Sequence, residues 1–338
     1  MAKKIRLADI AKQAGVSTAT VSRVLNDKGL VASETRYAVL AALDTLGYER
    51  PERLRERQDG LIGLILPELT NPIFPSFVQH LQVAMSMKGY TPLLGTQYVG
   101  ATPEDVYVAM MLDQHVSGII FVSGIHADLN ANISHYHEIS KRKIPFVTIN
   151  GKNPDISAPD FSSDDRFAVA VAVRHLLSQG HTKIGLATGS QRFVPAHEKA
   201  ESFHSVMRKL LPNSPIYQSN TLFTVEGGQA AAHQLISQGC TAIICGSDVM
   251  ALGAIRYCHS AGLRVPQDIS IIGYDDSPLI AFTDPPLTTL HQPVKTICDA
   301  AVSTLISMIN HDNSSVSSMR FTPELIVRES TGAVRSHH

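Results

Sequence analysis

The 338-residue sequence predicts an all-α helix-turn-helix head joined to a two-lobed α/β body, each lobe a parallel sheet covered by helices. Three observations predict it. Residues 1–48 carry three short amphipathic helical patterns separated by glycine or polar turns. From residue 61 onward, short apolar runs alternate with longer helical patterns, and the series restarts after Asn150. The charge is uneven: residues 1–57 hold eleven Lys/Arg against seven Asp/Glu, a net +4, whereas the rest of the chain sums to −5. A composition of 44% hydrophobic and 17% charged residues is that of a packed protein rather than a disordered one, and the length calls for two or three domains. The boundaries read as a head at 1–48, a linker at 49–60 and a body at 61–330.

In the head, Leu7, Ile10, Ala11 and Ala14 fall on one helical face, and Gly15 ends that helix. Ser17 is placed to cap the next, whose buried positions are Val21, Val24 and Leu25, leaving Thr18, Ala19, Ser22 and Arg23 outward. A third helix opens near Ser33 and stops at Gly47, with Val39, Leu40, Leu43 and Leu46 inward. Two helices joined by a glycine turn and braced by a third form a helix-turn-helix unit. The outer side of its second helix carries groups suited to DNA: Arg23 offers a bidentate fork to guanine, and the hydroxyls of Thr18, Thr20 and Ser22, with Asn26, suit phosphate or base contacts. Helical spacing alone is equally compatible with a three-helix bundle unrelated to DNA.

The linker Glu49-Arg50-Pro51-Glu52-Arg53-Leu54-Arg55-Glu56-Arg57 is charged, with Leu54 its only apolar side chain. On its own the segment reads as a flexible charged connection, or as arginines placed to grip phosphate and narrow-groove potential.

In the body, the strand-like runs are Leu61–Leu66, Gly118–Val122, Pro145–Ile149, Lys183–Ala187, Thr241–Cys245 and Ser270–Tyr274. Ligands of such sheets bind beyond the carboxyl ends of the strands. The residues there are Asn71-Pro72-Ile73-Phe74, Asn150, Ser247-Asp248 and Asp275-Asp276, with Phe223 nearby. Carboxylates and amides for vicinal hydroxyls, beside flat aromatic faces, are what a polyhydroxylated ligand needs. Asp248 equally suits a helix N-cap, and Asn71 before Pro72 a local turn. The four cysteines (Cys240, Cys245, Cys258, Cys298) lack C-x-x-C spacing and read as reduced core thiols. Gly227-Gly228 is too short for a phosphate cradle and reads as breaking or tightening a helix start.

The stretch Leu7-Ala8-Asp9-Ile10-Ala11…Ala14-Gly15-Val16-Ser17…Thr20-Val21-Ser22-Arg23-Val24-Leu25-Asn26 closely resembles the N-terminal signature of the LacI/GalR repressors, as do Thr35-Arg36 and Leu46-Gly47-Tyr48. The resemblance continues through Asn71–Phe74, Gly180–Gly185, Asp248–Ala254, Gly262–Ser270, Gly273–Asp276 and Pro286–Leu290, so it runs nearly end to end. It implies a body of the periplasmic-binding-protein type that takes a small-molecule effector, and a homodimer on palindromic operator DNA. Thr18, Ala19 and Arg23 then occupy base-reading positions, and Ser17, Thr20, Ser22 and Asn26 phosphate-holding ones. Asp275 is the foremost effector contact, followed by Phe74, Asn150, Phe223 and Ser247 or Asp248. The linker is about three residues shorter than the family pattern, which places Arg57 near the family's wedging leucine and leaves Leu54 for that role. Lys199 stands where the family commonly has a clamping arginine; an ammonium cannot form the planar fork, which points to an uncharged ligand. Within the family, Gly47–Pro51, Pro67–Leu69, Asn71–Pro75, Phe193–Pro195 and Asp276–Pro286 are most similar to actinobacterial maltose-type repressors, so a maltose- or maltodextrin-type effector is expected. Another sugar or a nucleoside, or action by corepression, are the alternatives.

A secreted sugar carrier would share the lobes but give no reason for the head. An export signal would need an apolar stretch after Met1–Arg6, and a membrane anchor a long uncharged run; with neither, a cytoplasmic chain, nucleoid-associated when on operator, is expected. An enzyme would need a phosphate loop, an H-E-x-x-H pair or a G-x-S-x-G elbow, and the sequence has none; neither catalytic residue, metal site nor cofactor is expected.

Overall fold

The computed structural model describes residues 6–26, 31–48, 60–97, 100, 102–312 and 317–335. Leu54 and most of the linker lie outside the described residues.

The head is built from α1 (Leu7–Ala14), α2 (Thr18–Leu25) and α3 (Ser33–Thr45). Gly15 ends α1 at φ 65°, a left-handed conformation that glycine adopts without a Cβ penalty. Ser17 Oγ then accepts the Thr20 amide at 3.1 Å, satisfying one of the free donors at the start of α2. The core is Ile10, Ala11, Val21, Val24, Leu25, Val39, Ala42 and Leu43, as the periodicity requires, with Ala14, Leu40 and Leu46 partly buried against it. Leu7 departs from the expectation. It is 42% exposed, whereas Ile10 in the same turn is fully buried.

In the body the first sheet has the order β11-β5-β4-β3-β1-β2 and the second β12-β10-β9-β8-β6-β7. The first sheet comprises β1 (Gly60–Leu66), β2 (Tyr90–Thr96), β3 (Gly118–Val122), β4 (Phe146–Ile149), β5 (Asp160–Ser163) and β11 (Met319–Phe321). The second comprises β6 (Ile184–Thr188), β7 (Tyr217–Asn220), β8 (Ala242–Cys245), β9 (Ser270–Asp275), β10 (Thr288–His291) and β12 (Glu324–Ile326). All six apolar runs are strands, and their pairings are parallel wherever a register is defined between them, as in Ile119↔Phe146 and Ile243↔Ile271. Among the strand pairings with a defined register, that of β12 with β10 is antiparallel.

The helices of the body are α4 (Ile73–Ser86), α5 (Glu104–Asp113), α6 (Ser134–Lys141), α7 (Asp165–Ser178), α8 (Val194–Leu210), α9 (Val225–Ser237), α10 (Asp248–Ser260) and α11 (Val294–Ile309). They cover the second sheet on both faces. Ala168, Val169, Ala172 and Val173 of α7, with Ala200, Phe203 and Met207 of α8, pack against Leu186 and Ile272. On the other face Ala231, Ala232 and Leu235 of α9 and Met250, Ala251 and Ala254 of α10 pack against Ile243 and Ile271. The α9–α10 crossing is close because both helices present glycine: a Cβ on Gly228 would lie 2.0 Å from the Met250 carbonyl oxygen, and one on Gly253 2.0 Å from that of Val225. Gly227–Gly228 therefore tightens a helix start, and the Gly227 amide binds the capping Thr224 hydroxyl at 3.0 Å.

One sequence expectation is corrected. The second lobe begins after Ser163, not after Asn150, because β5 still belongs to the first sheet. Its sequence Asp-Phe-Ser-Ser carries no apolar run, but its polar groups are buried in pairs: Thr148 Oγ1 donates to Asp160 Oδ1 at 2.9 Å and Ser162 Oγ to Asp160 Oδ2 at 2.6 Å. Near the end of the body, β11 returns to the first sheet and β12 to the second. The chain thus crosses between lobes three times, after Ser163, His291 and Phe321. All four cysteines are unpaired and buried, and burial pushes the Cys240 and Cys258 thiols up to about 12. Among the described residues no helix is long and apolar enough to cross a membrane.

Candidate functional site

The carboxyl ends of both sheets line one cavity of about 230 Å³. β1 delivers Pro67 and Glu68 and, at the start of α4, Asn71, Ile73 and Phe74; β3 delivers Ser123 and β4 Asn150. From the second lobe come Asp165, Phe193, Pro195, Lys199, Phe223, Ser247, Tyr274 and Asp275, and Gln292 enters from the crossing after β10. Ser123 (φ 48°), Asn150 (φ 62°) and Asp275 (φ 124°) all hold positive φ where their strands end. Such conformations are uncommon for non-glycine residues and concentrate where side chains must be aimed.

Of the seven residues expected at the effector site, Phe74, Asn150, Lys199, Phe223, Ser247 and Asp275 line this cavity. Asp248 does not. Its Oδ1 accepts the Thr289 hydroxyl at 2.5 Å and its Oδ2 the Ser277 amide at 2.7 Å, so it braces β10 and the segment after β9 from below. The cap of α10 is Ser247, whose Oγ accepts the Met250 amide at 3.3 Å. Asn71 likewise serves the local turn, its Oδ1 accepting the Ile73 amide at 3.3 Å.

The Phe223 ring lies over two glycines: a Cβ on Gly189 would come within 2.1 Å of its Cε2, and one on Gly246 within 2.9 Å of its Cε1. Phe74, Phe193 and Phe223 thus give the cavity three phenylalanine rings, beside that of Tyr274. The polar wall is a connected set. Asp275 Oδ1 accepts the Gln292 amide at 2.7 Å, and Gln292 Oε1 accepts the Ser163 hydroxyl at 2.9 Å, which links the first and second interlobe crossings. Asp275 Oδ2 is buried without a partner. Burial, and then the Asp248 carboxylate, raise the Asp275 carboxyl well above its usual range; Gln292 and Lys199 oppose them. Lys199 Nζ donates to Asp165 Oδ1 at 2.8 Å and stands 3.9 Å from the Tyr274 ring centroid, while the Tyr274 hydroxyl donates to the same Asp165 oxygen. Burial, followed by the neighbouring Asp165, raises the Tyr274 hydroxyl well above its ordinary value.

Asp165, Tyr274 and Gln292 were not singled out in the sequence. Asp165 and Gln292 follow β5 and β10, polar strands without an apolar run, and Tyr274 reads as strand interior. A carboxylate at a helix start after a short polar strand was the one signal available for Asp165.

In the head, Ser17, Thr18, Ala19 and Arg23 are exposed, and Thr20, Ser22 and Asn26 half-buried. Ser17 Oγ lies 2.9 Å from Thr20 Oγ1, and Asn26 Nδ2 donates to the Ser22 carbonyl at 2.8 Å, so the rim of α2 is preordered. The three described residues expected to read bases, Thr18, Ala19 and Arg23, all project from the first two turns of α2.

Residues 6–51 match the model of the bacterial regulatory proteins, lacI family, and residues 173–331 that of the periplasmic binding protein-like domain. The chain is 53% identical over 333 residues to the HTH-type transcriptional regulator MalR of Streptomyces coelicolor, covering 97% of each chain. It is 52% identical over 335 residues to the HTH-type transcriptional regulator reg1 of Streptomyces lividans, again over 97% of each. Among solved structures, a complex of the transcriptional regulator CelR with cellobiose superposes with TM-score 0.71 at 25% identity, over 97% of this chain and 100% of that one. The lac repressor dimer bound to operator and the anti-inducer ONPF superposes with TM-score 0.71 at 27% identity, over 98% and 100%. With its signature helices, its two lobes and these relatives, the chain belongs to the lacI family of bacterial regulatory proteins.

Proposed function

We propose that this family member is a homodimeric, cytoplasmic repressor that holds palindromic operator DNA with paired heads and responds to a maltose- or maltodextrin-type sugar in the cleft. Residues 1–48 bind DNA, 49–60 form the hinge, and 61–330 bind effector and dimerise. One observation carries the sugar reading: three phenylalanine rings share the cavity with a polar wall on which Asp275 keeps a buried, unpartnered carboxyl oxygen. Apolar ring faces and a free acceptor between two α/β sheets are the complement of a pyranose with its hydroxyls. CelR with its bound cellobiose supports a disaccharide of this kind. The effector contacts are Phe74, Asn150, Phe223, Ser247 and Asp275, with Lys199 acting through Asp165; Asp248 holds the floor. On DNA, Thr18, Ala19 and Arg23 read bases while Ser17, Thr20, Ser22 and Asn26 hold phosphates, and Leu54 is the hinge wedge.

Ligand acts by population shift: it favours one arrangement of the lobes, and that changes the spacing of the two hinges on DNA. Calorimetric titration with maltose, maltotriose and unrelated sugars tests the assignment. Asp275→Asn and Phe223→Ala each lower sugar affinity by at least about tenfold, the loss of a buried hydrogen-bond partner or a stacking face. Affinity unchanged in both variants overturns the site.

A further inference from the structure

We propose that Asp165 makes the cleft a charge filter: by neutralising Lys199 it admits an uncharged polyhydroxylated ligand and rejects phosphorylated or carboxylated ones. This rests on the cleft being the sugar site proposed above, and it gives Asp165 a part in choosing the ligand.

Among the described lining residues, three carboxyl groups (Glu68, Asp165, Asp275) face one ammonium, that of Lys199. Lys199 is 5% exposed and already engaged, with Asp165 at 2.8 Å and the Tyr274 ring face at 3.9 Å. An anionic ligand seeking that ammonium would have to displace Asp165, leaving a buried carboxylate unpaired, a change that costs several kcal/mol in such pairs. The other seats an anion commonly takes are helix N-termini, whose free amides and dipole attract negative charge. Here three of those bordering the cavity already hold a side-chain acceptor, and the start of α8, which has no side-chain cap, has one amide fewer to offer. The Asn71 side chain accepts the Ile73 amide at the start of α4. At α7, Asp164 accepts the Phe167 amide and Asp165 adds a carboxylate. Pro195 lacks an amide hydrogen in the first turn of α8. At α10, Ser247 accepts the Met250 amide and Asp248 adds a carboxylate. The unpartnered Asp275 Oδ2 completes the argument. A hydroxyl serves it in either protonation state, because it both donates and accepts, whereas a phosphate oxygen brings only charge and lone pairs.

The test compares neutral and anionic partners on the full-length protein: maltose against maltose 6′-phosphate by calorimetry, and inorganic phosphate by thermal shift. For wild type the phosphorylated sugar binds at least about 100-fold more weakly than maltose. In Asp165→Asn, which frees the ammonium with little change of shape, the gap closes by at least about tenfold and phosphate raises the melting midpoint, a gain abolished by adding Lys199→Met. Wild type binding the phosphorylated sugar as tightly as maltose overturns the proposal, as does a folded Asp165→Asn that gains no affinity for either anion. If that variant does not fold, the wild-type comparison decides. Failure of wild type to bind any sugar sinks the sugar reading, and the phosphate arm, which needs no sugar, still decides the filter.

Discussion

Buried acids carry much of the chemistry of the cleft, and their environments separate their roles. Asp248 is pushed up to about 6, chiefly by burial, with hydrogen bonds from Ser277 and Thr289 opposing. Its ordinary value is 3.8, so the native state binds the extra proton. The stability it contributes is full below about pH 4 and is lost as pH rises through about 6. Chemical denaturation of wild type and Asp248→Asn across pH 4–7 checks this: the wild type's advantage over the variant shrinks across that window. A difference independent of pH would show that Asp248 does not titrate there. Glu104 behaves oppositely. Burial raises its carboxyl, but hydrogen bonds from His135, Tyr136 and the Ile125 amide outweigh burial and hold it below its usual range. It thereby remains a carboxylate that fixes the Ile125–Ala127 turn, and Ala127 lines the cavity.

At the scale of elements, the start of α2 decides how the reading helix is presented. Removing the cap by Ser17→Ala costs about 1 kcal/mol of local stability. Hydrogen exchange checks this as faster exchange of the Thr20 amide with the α7 amides unchanged; equal protection would mean that the hydroxyl contributes nothing. The elements legible in the sequence are those with a strong period or a continuous apolar run: α1 to α3, and β1, β3, β4, β6, β8 and β9. Those that escaped have no apolar run: β5, Asp160-Phe161-Ser162-Ser163, is buried with its polar groups paired to neighbours, and β7, Tyr217-Gln218-Ser219-Asn220, is a half-buried edge strand. Of the six expected residues that line the cleft, five lie at ends of legible strands or on the helices that follow, and Phe223 follows β7. Asp165 and Gln292 follow polar strands and so were lost with them, and Asp248 was misplaced because neighbouring residues at a helix start point in different directions.

For the whole molecule, the three interlobe crossings and the Ser163–Gln292–Asp275 chain join the cleft to the hinges of the body. A ligand held by Asp275 therefore bears on the same side chains that set how the lobes meet. The proposed dimer belongs to this scale as well. Phe282 and Leu279, in one short turn after β9, are 85% and 75% exposed, an apolar exposure that a partner surface would relieve. Phe282→Glu is expected to weaken dimerisation by roughly 1–3 kcal/mol, read by sedimentation equilibrium as a larger monomer fraction at micromolar protein. A variant as dimeric as wild type would place the interface elsewhere.

A helix-turn-helix head coupled to a sugar cleft makes one joint demand, that sugar alter specific DNA binding. Fluorescence-anisotropy titration of the full-length protein on a selected palindromic duplex and on a scrambled one, at fixed salt, with and without maltose, measures it directly. The account predicts tight binding to the palindrome alone, with an affinity that maltose shifts, the direction of the shift giving the sign of the switch. Equal binding to both duplexes, unmoved by maltose or other sugars, would contradict it.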